Sequence, residues 1–129
     1  MLDKYAKKSE HVIYVIFRII IGVLYAMHGM SKIGLLGKPS MTGLWAFIGV
    51  AELLIGLGIA LGLFSRLAAL GGFIIMVGAQ VTQHFPKGLN PMANGGELSL
   101  LFLAAFLVIF AMGGGKFSLG HTFFKKELW

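Results

Sequence analysis

The stretch VIYVIFRIIIGVLYAMHGMSK, Val12 to Lys32, decides how this chain is to be read. It has the length and apolar content of a segment that crosses lipid, for which an α-helix needs roughly 20 residues. Yet it keeps Arg18 in its first half and His28 near its end. The pattern recurs downstream, with apolar runs separated by short stretches rich in Gly, Pro, Lys and Asn. At 57% hydrophobic and 12% charged residues, 19 glycines in 129 residues and a mean hydropathy of +0.87, an ordinary soluble domain is excluded. So small a protein has nowhere to hide that much apolar surface.

The expectation is a single integral membrane domain over residues 1–129, an all-α bundle of four transmembrane helices. The spans run from about Val12 to Met30, Leu44 to Leu63, Leu67 to Phe85, and Leu98 to Met112, the last being short and extended by the glycines that follow, to about residue 114. Ser65-Arg66 is read as a tight turn that makes an antiparallel hairpin of the second and third spans. The connections at 31–43 and 86–96 then share the opposite face. An even number of spans puts both termini on one side. That side carries Lys4, Lys7, Lys8, Arg66, Lys116, Lys125 and Lys126, whereas the other carries only Lys32, Lys38 and Lys87. The excess places both termini in the cytoplasm of a multi-pass cell-membrane protein. Trp45 and the tail aromatics Phe117, Phe123, Phe124 and Trp129 suit the membrane interfaces.

The net charge of +6 does not point to nucleic acid, because the basic residues sit at the ends of apolar runs, where the partner is the lipid bilayer. With no cysteine there is no disulfide and no thiol redox chemistry, so a redox role must use a bound cofactor or a partner. The first run follows Lys4, Lys7 and Lys8 as a signal peptide would, but it is too long, holds Arg18 and lacks a small-residue cleavage site, so it is expected to be retained. Gly58 and Gly62 form a GxxxG, and Gly22/Ala26 and Ala68/Gly72 are further small-residue pairs of the kind that let helices approach in lipid.

Helical geometry gives each span a polar stripe. At about 100° per residue, Arg18, Gly22, Tyr25 and Gly29 share a face of the first helix, with His28 displaced and Lys32 nearby. Trp45, Gly49, Glu52 and Gly56 share one on the second; Phe73, Met76, Gln80 and His84 on the third. On the fourth, Glu97 stands above Leu101, Ala104 and Val108. A rise of about 1.5 Å per residue puts Glu52 and Gln80 near mid-membrane, His28 and His84 in the outer half, Glu97 at the outer edge and Arg18 in the inner half. Arg18 and Glu52 then differ by about 7 Å in depth, close enough to pair. The expectation is a buried Arg18–Glu52 ion pair beneath an outward-facing pocket lined by His28, Gln80, His84 and Glu97. The plainer reading is that these groups only satisfy one another and fix helix register. His28, His84 and a carboxylate show no local ligand spacing, so no metal site is expected. No P-loop, dinucleotide fingerprint, HExxH, CxxC or GxSxG is present.

Three segments carry a resemblance to a known family: RIIIGVLYAMHGMSKIG at 18–34, GVAELLIGLGIALGLFSRLAAL at 49–70 and GGELSLLFLAAFLVIFAMGGGKFSLG at 95–120. Together they resemble the DoxX family of small four-helix membrane proteins. Its recurrent polar positions would fall here on Arg18, His28, Lys32, Glu52, Arg66 and Glu97. The closing Ser118-Leu119-Gly120 departs from the family pattern, which has Asp in third place. Some relatives are associated with membrane redox systems, including thiosulfate-to-quinone electron transfer, so the resemblance implies a membrane component of such a system. A quinone bound by His28, Gln80 and Glu52 would then be its cofactor, with Glu52 as proton relay, alongside a soluble redox partner at the cytoplasmic face. Two other readings stay open. One is a protein that binds or transports a small polar or lipidic molecule, for which four helices would call on a homodimer. The other is a scaffold that recruits soluble partners through its basic ends.

Overall fold

The computed structural model describes residues 1–115 and 118–124, and every regular element among them is helical. Lys116, Phe117, Lys125, Lys126 and Trp129 lie outside the described residues, as do the side chains of Phe123 and Phe124. Helix α1 (Leu2–Lys32) begins well before the apolar run, because the Lys, Ala and Glu of the first ten residues favour helix as much as the aliphatics do. Helix α2 spans Leu44–Leu61. Helix α3 (Ser65–Ala79) continues through a π-helical turn at Gln80–His84 and a 3₁₀ turn at Phe85–Lys87. A single helical turn, α4 (Pro91–Asn94), precedes α5 (Glu97–Met112), and α6 (Leu119–Phe124) closes the described chain. The stretches 2–32, 44–61 and 65–87 are long and apolar enough to cross a membrane. Helix α5 is as apolar but, at 16 residues, about 24 Å long.

Two boundaries differ from expectation. The α2–α3 turn is Gly62–Phe64, and Ser65 and Arg66 already belong to α3. Gly62 is the residue free to turn left-handed (φ 74°), and Leu63 N–H closes the helix end on Gly58 O at 2.8 Å. The fourth helix is not extended by its glycines. It stops at Met112, where Gly113 swings to φ 71°.

The helices form two close pairs, α1 with α2 and α3 with α5, joined more loosely to each other. Small residues set the first seam: a Cβ on Gly22 would lie 2.6 Å from Gly56 O and 2.8 Å from Ala60 Cα, so the two backbones touch. Gly29 meets Gly49 and Leu53 in the same way one register step along. Gly58 takes no part in this seam, since a Cβ there would approach Leu63 O and Ala68 Cβ, and Gly62 meets α1 only through the Arg18 side chain. Between the pairs lies an aromatic core in which fully buried Phe106 meets Tyr25 edge-on at 4.8 Å and stacks on Phe102 at 6.0 Å. Gly72 leaves space for the Phe106 ring, and Ile59, Ala69 and Ile109 close the layer. Outside it stand Ile13, Ile16, Ile20, Leu54, Leu67 and Ile74, all more than half exposed, as suits a surface solvated by acyl chains.

The bundle therefore has a loop end, carrying 33–43 and 88–96, and a hairpin end, carrying 62–64, 113–115 and 118–124.

Candidate functional site

Glu52 is buried on α2, and its charge is answered by Lys32: Nζ donates to Oε2 at 2.6 Å, with 3% of the Glu52 side chain and 20% of the Lys32 side chain exposed. The expected Arg18–Glu52 pair does not form. The α1–α2 seam sets Arg18 beside Gly62, ten residues or about 15 Å along α2 from Glu52. Depths reckoned from the ends of hydropathy runs misjudged this register, because backbone contact at Gly22, Gly29, Gly49 and Gly56 fixes it instead. Those contacts bring Glu52 level with His28, one turn below Lys32.

The pair borders a cavity of about 640 Å³ between the two helix pairs at the loop end. Its wall is mainly apolar, with Trp45, Ile48, Ile75, Met76, Leu98 and Phe102 as principal surfaces. Four of the expected site residues border it: His28, Lys32, Glu52 and His84. His28 stands edge-on to Phe102 at 5.5 Å. Gln80 is buried behind the wall, donating to Gly96 O at 2.7 Å. Glu97 is exposed and outside the lining, because α5 turns Phe102, Ala105, Phe106 and Ile109 inward while Leu101 and Val108 face out. Arg18 lies at the other end of the bundle.

Gln80 and His84 stand at the two ends of the π-helical turn, and both meet the 88–96 loop. That loop is tied internally by Asn94, 2% exposed, which donates to Gly88 O at 2.8 Å and accepts from Gly96 N–H at 2.7 Å. His84 Nδ1 lies 3.3 Å from Asn94 O. A carbonyl can only accept, so Nδ1 carries a proton in this contact. Ser99 and Trp45 in the lining, and Asn94 in the loop behind it, escaped the sequence reading of the pocket. Only Trp45 had a legible signal, its place on the Glu52 face, and it had been assigned to the interface.

Arg18 anchors the hairpin end. It is 2% exposed and donates through Nη1 to Gly114 O, while the Tyr14 hydroxyl donates to Gly113 O. Arg66 adds Nε to Phe110 O at 3.0 Å and Nη2 to Ala111 O at 3.4 Å. The last carbonyls of a helix have no partner within it, so cations from α1 and α3 satisfy the end of α5 and complement its dipole. Gly120 N–H donates to Gly62 O at 3.2 Å, and Ser118 Oγ caps α6 by accepting from His121 N–H at 3.1 Å.

Chemically, the loop-end cavity offers one ammonium with donors to spare, one buried carboxylate, two imidazoles and an apolar body. That set can orient a molecule bearing carbonyl or hydroxyl groups and exchange protons with it. No group of three His, Cys, Asp or Glu side chains is placed to hold a metal among the described residues.

Comparison with known proteins agrees with this architecture. The DoxX family pattern matches residues 13–85, from α1 through the end of the π-helical turn. An uncharacterized protein of Haemophilus influenzae is 34% identical over 123 residues, covering 84% of this chain and 89% of the relative. No solved structure matches. The chain belongs to the DoxX family.

Proposed function

We propose that this DoxX-family protein is a membrane component of a redox system, and that its loop-end cavity holds a quinone or a comparable lipid-soluble carrier. The observation that supports this reading best is the Lys32–Glu52 pair, at 2.6 Å, set in the wall of an otherwise apolar cavity of about 640 Å³. A charge at a helix centre costs about 2.5 to 3.5 kcal/mol on insertion, so a pair left beside open space is a functional candidate by its position. Lys32 and His28 would donate to a ring carbonyl, and Glu52 would relay the proton that a reduced carrier takes up. Electrons would come from a soluble partner at the cytoplasmic face, since a chain without cysteine has no thiol couple of its own. In this reading the chain is one four-span domain of the cell membrane, with α5 as the fourth span. The hairpin end, both termini and Lys4, Lys7 and Lys8 face the cytoplasm, and the cavity sits toward the outer leaflet.

The test is titration of the detergent-solubilised protein with a short-tailed ubiquinone, followed by quenching of Trp45 in a Trp129→Phe background. Glu52→Gln and Lys32→Met are each expected to weaken binding at least tenfold. Wild-type protein that does not bind, or variants that bind as well as it does, would sink the proposal. The apolar share of the wall also favours a second reading, a carrier or binding protein for a lipidic metabolite, acting as a homodimer if it transports. Mass spectrometry of molecules that co-purify separates the two, a quinone supporting the first and another lipid the second.

A further inference from the structure

We infer that the cavity is filled sideways from the bilayer, through a gap between α2 and α3 at Gly78, by a molecule whose polar head reaches the Lys32–Glu52 pair and whose apolar tail lies out through the gap. The inference takes its ligand from the reading above, but its route rests on the cavity alone.

Helices α2 and α3 leave their turn in contact. A Cβ on Gly58 would sit 3.7 Å from Ala68 Cβ, and one on Gly71 would sit 3.2 Å from Ile55 Cδ1. The face of α3 that carries Gly71 continues through Ile75, Gly78 and Thr82. Two turns beyond Gly71, a Cβ on Gly78 would meet nothing within 4 Å. The hairpin thus opens as a V away from its turn. Continuing the pairing of 58 with 68 and 55 with 71 sets Gly78 across from Ile48, and both residues border the cavity.

The rim of this gap is mainly apolar, with Thr82 and Gln83 as its exposed polar members. Leu44, Ile74 and Val81 are 67%, 62% and 55% exposed beside it, and the Thr82 hydroxyl is turned back onto Gly78 O at 2.7 Å. Ile48 lies about 6 Å inside the Leu44 end of α2, so the gap falls within the stretch long and apolar enough to cross a membrane. Water is the wrong solvent for such an opening, and acyl chains are the right one. The Lys32 ammonium and the Glu52 carboxylate meet at the α1–α2 seam, whereas the gap lies between α2 and α3. A ligand matching both ends needs a polar head and a hydrocarbon tail.

Gly78 makes the test clean, because a side chain there has room and the chain has no cysteine. Gly78→Cys in proteoliposomes is expected to react with a lipid-soluble N-alkyl maleimide at least tenfold faster than with a sulfonated, membrane-impermeant maleimide, and decylubiquinone should slow that reaction. Equal rates, or a thiol protected from both reagents, would overturn the lateral route. Gly78→Leu should keep the wild-type melting temperature and still bind tail-less 2,3-dimethoxy-5-methylbenzoquinone, while losing at least tenfold in affinity for decylubiquinone. Equal weakening of both probes, or of neither, would overturn the tail's path through the gap. If wild-type protein binds neither quinone, the reading of the ligand fails, and the ratio of maleimide rates still decides the route.

Discussion

Helix α1 carries two inward-facing cations 14 residues apart, about 21 Å along its axis, and the two ends of the bundle answer them differently. At the hairpin end Arg18 is met by a backbone carbonyl beyond α5, with Tyr14 and Arg66 completing the same cap. At the loop end Lys32 is met by a carboxylate, and next to the pair lies an open cavity. A cation satisfied by carbonyls holds the ends of helices together and offers nothing to a ligand. A cation paired with a carboxylate at a cavity wall keeps donors and a proton acceptor within reach of whatever enters. The same chemical problem, a charge in a helix that faces lipid, thus has a structural solution at one end and, in the function proposed above, a chemically active one at the other.

The comparison can be broken most severely at Arg18. Arg18→Leu should lower stability in detergent by about 3 kcal/mol, since it leaves a buried carbonyl without its charged donor, while the folded fraction keeps its ligand affinity. Glu52→Leu should not rescue it: the double-mutant cycle should close to within about 0.5 kcal/mol, as for sites more than 10 Å apart. Rescue would mean that the two ends are one network.

Glu52→Leu alone should cost about 2 kcal/mol, because the partly exposed ammonium it leaves behind can move toward solvent. Lys32→Leu added to it should recover most of that loss in a thermal melt, yet neither variant should bind quinone. Arg66→Ala should cost about 1 kcal/mol by uncapping Phe110 and Ala111, with no effect at the cavity. The smallest effect is expected for His84→Ala, about 0.5 kcal/mol in stability for one long hydrogen bond, but with a several-fold loss of ligand affinity. Unchanged affinity would move His84 from the active set to the structural one.

Most of the helical layout was legible, because apolar runs bounded by Gly and Pro leave little choice of element in lipid. The faces of α1 and α2 were legible too: Arg18, Gly22, Tyr25 and Gly29 turn inward together, as do Gly49, Glu52 and Gly56. What hydropathy could not supply was register. Arg18 was matched to Glu52 by depth, whereas glycine contacts slide α2 until Glu52 faces His28 and Lys32 takes the pair. Helix α5 was read on the wrong face because Glu97 was treated as a marker of the interior. Its inward stripe is the apolar Phe102, Ala105, Phe106 and Ile109, which no charged residue flags. The π-helical turn that seats Gln80 and His84 has no sequence signature comparable to a cap or a turn.

The cap on α5 also says something about how the protein comes to be made. Donors for the carbonyls of residues 110, 111, 113 and 114 reside at positions 14, 18 and 66, which the ribosome emits long before their acceptors. Until translation reaches the glycines after Met112, an embedded guanidinium waits without its oxygen. A nascent chain cut short before that point would carry its own mark of incompleteness inside the bilayer, available to any surveillance that senses a charged donor there without its acceptor.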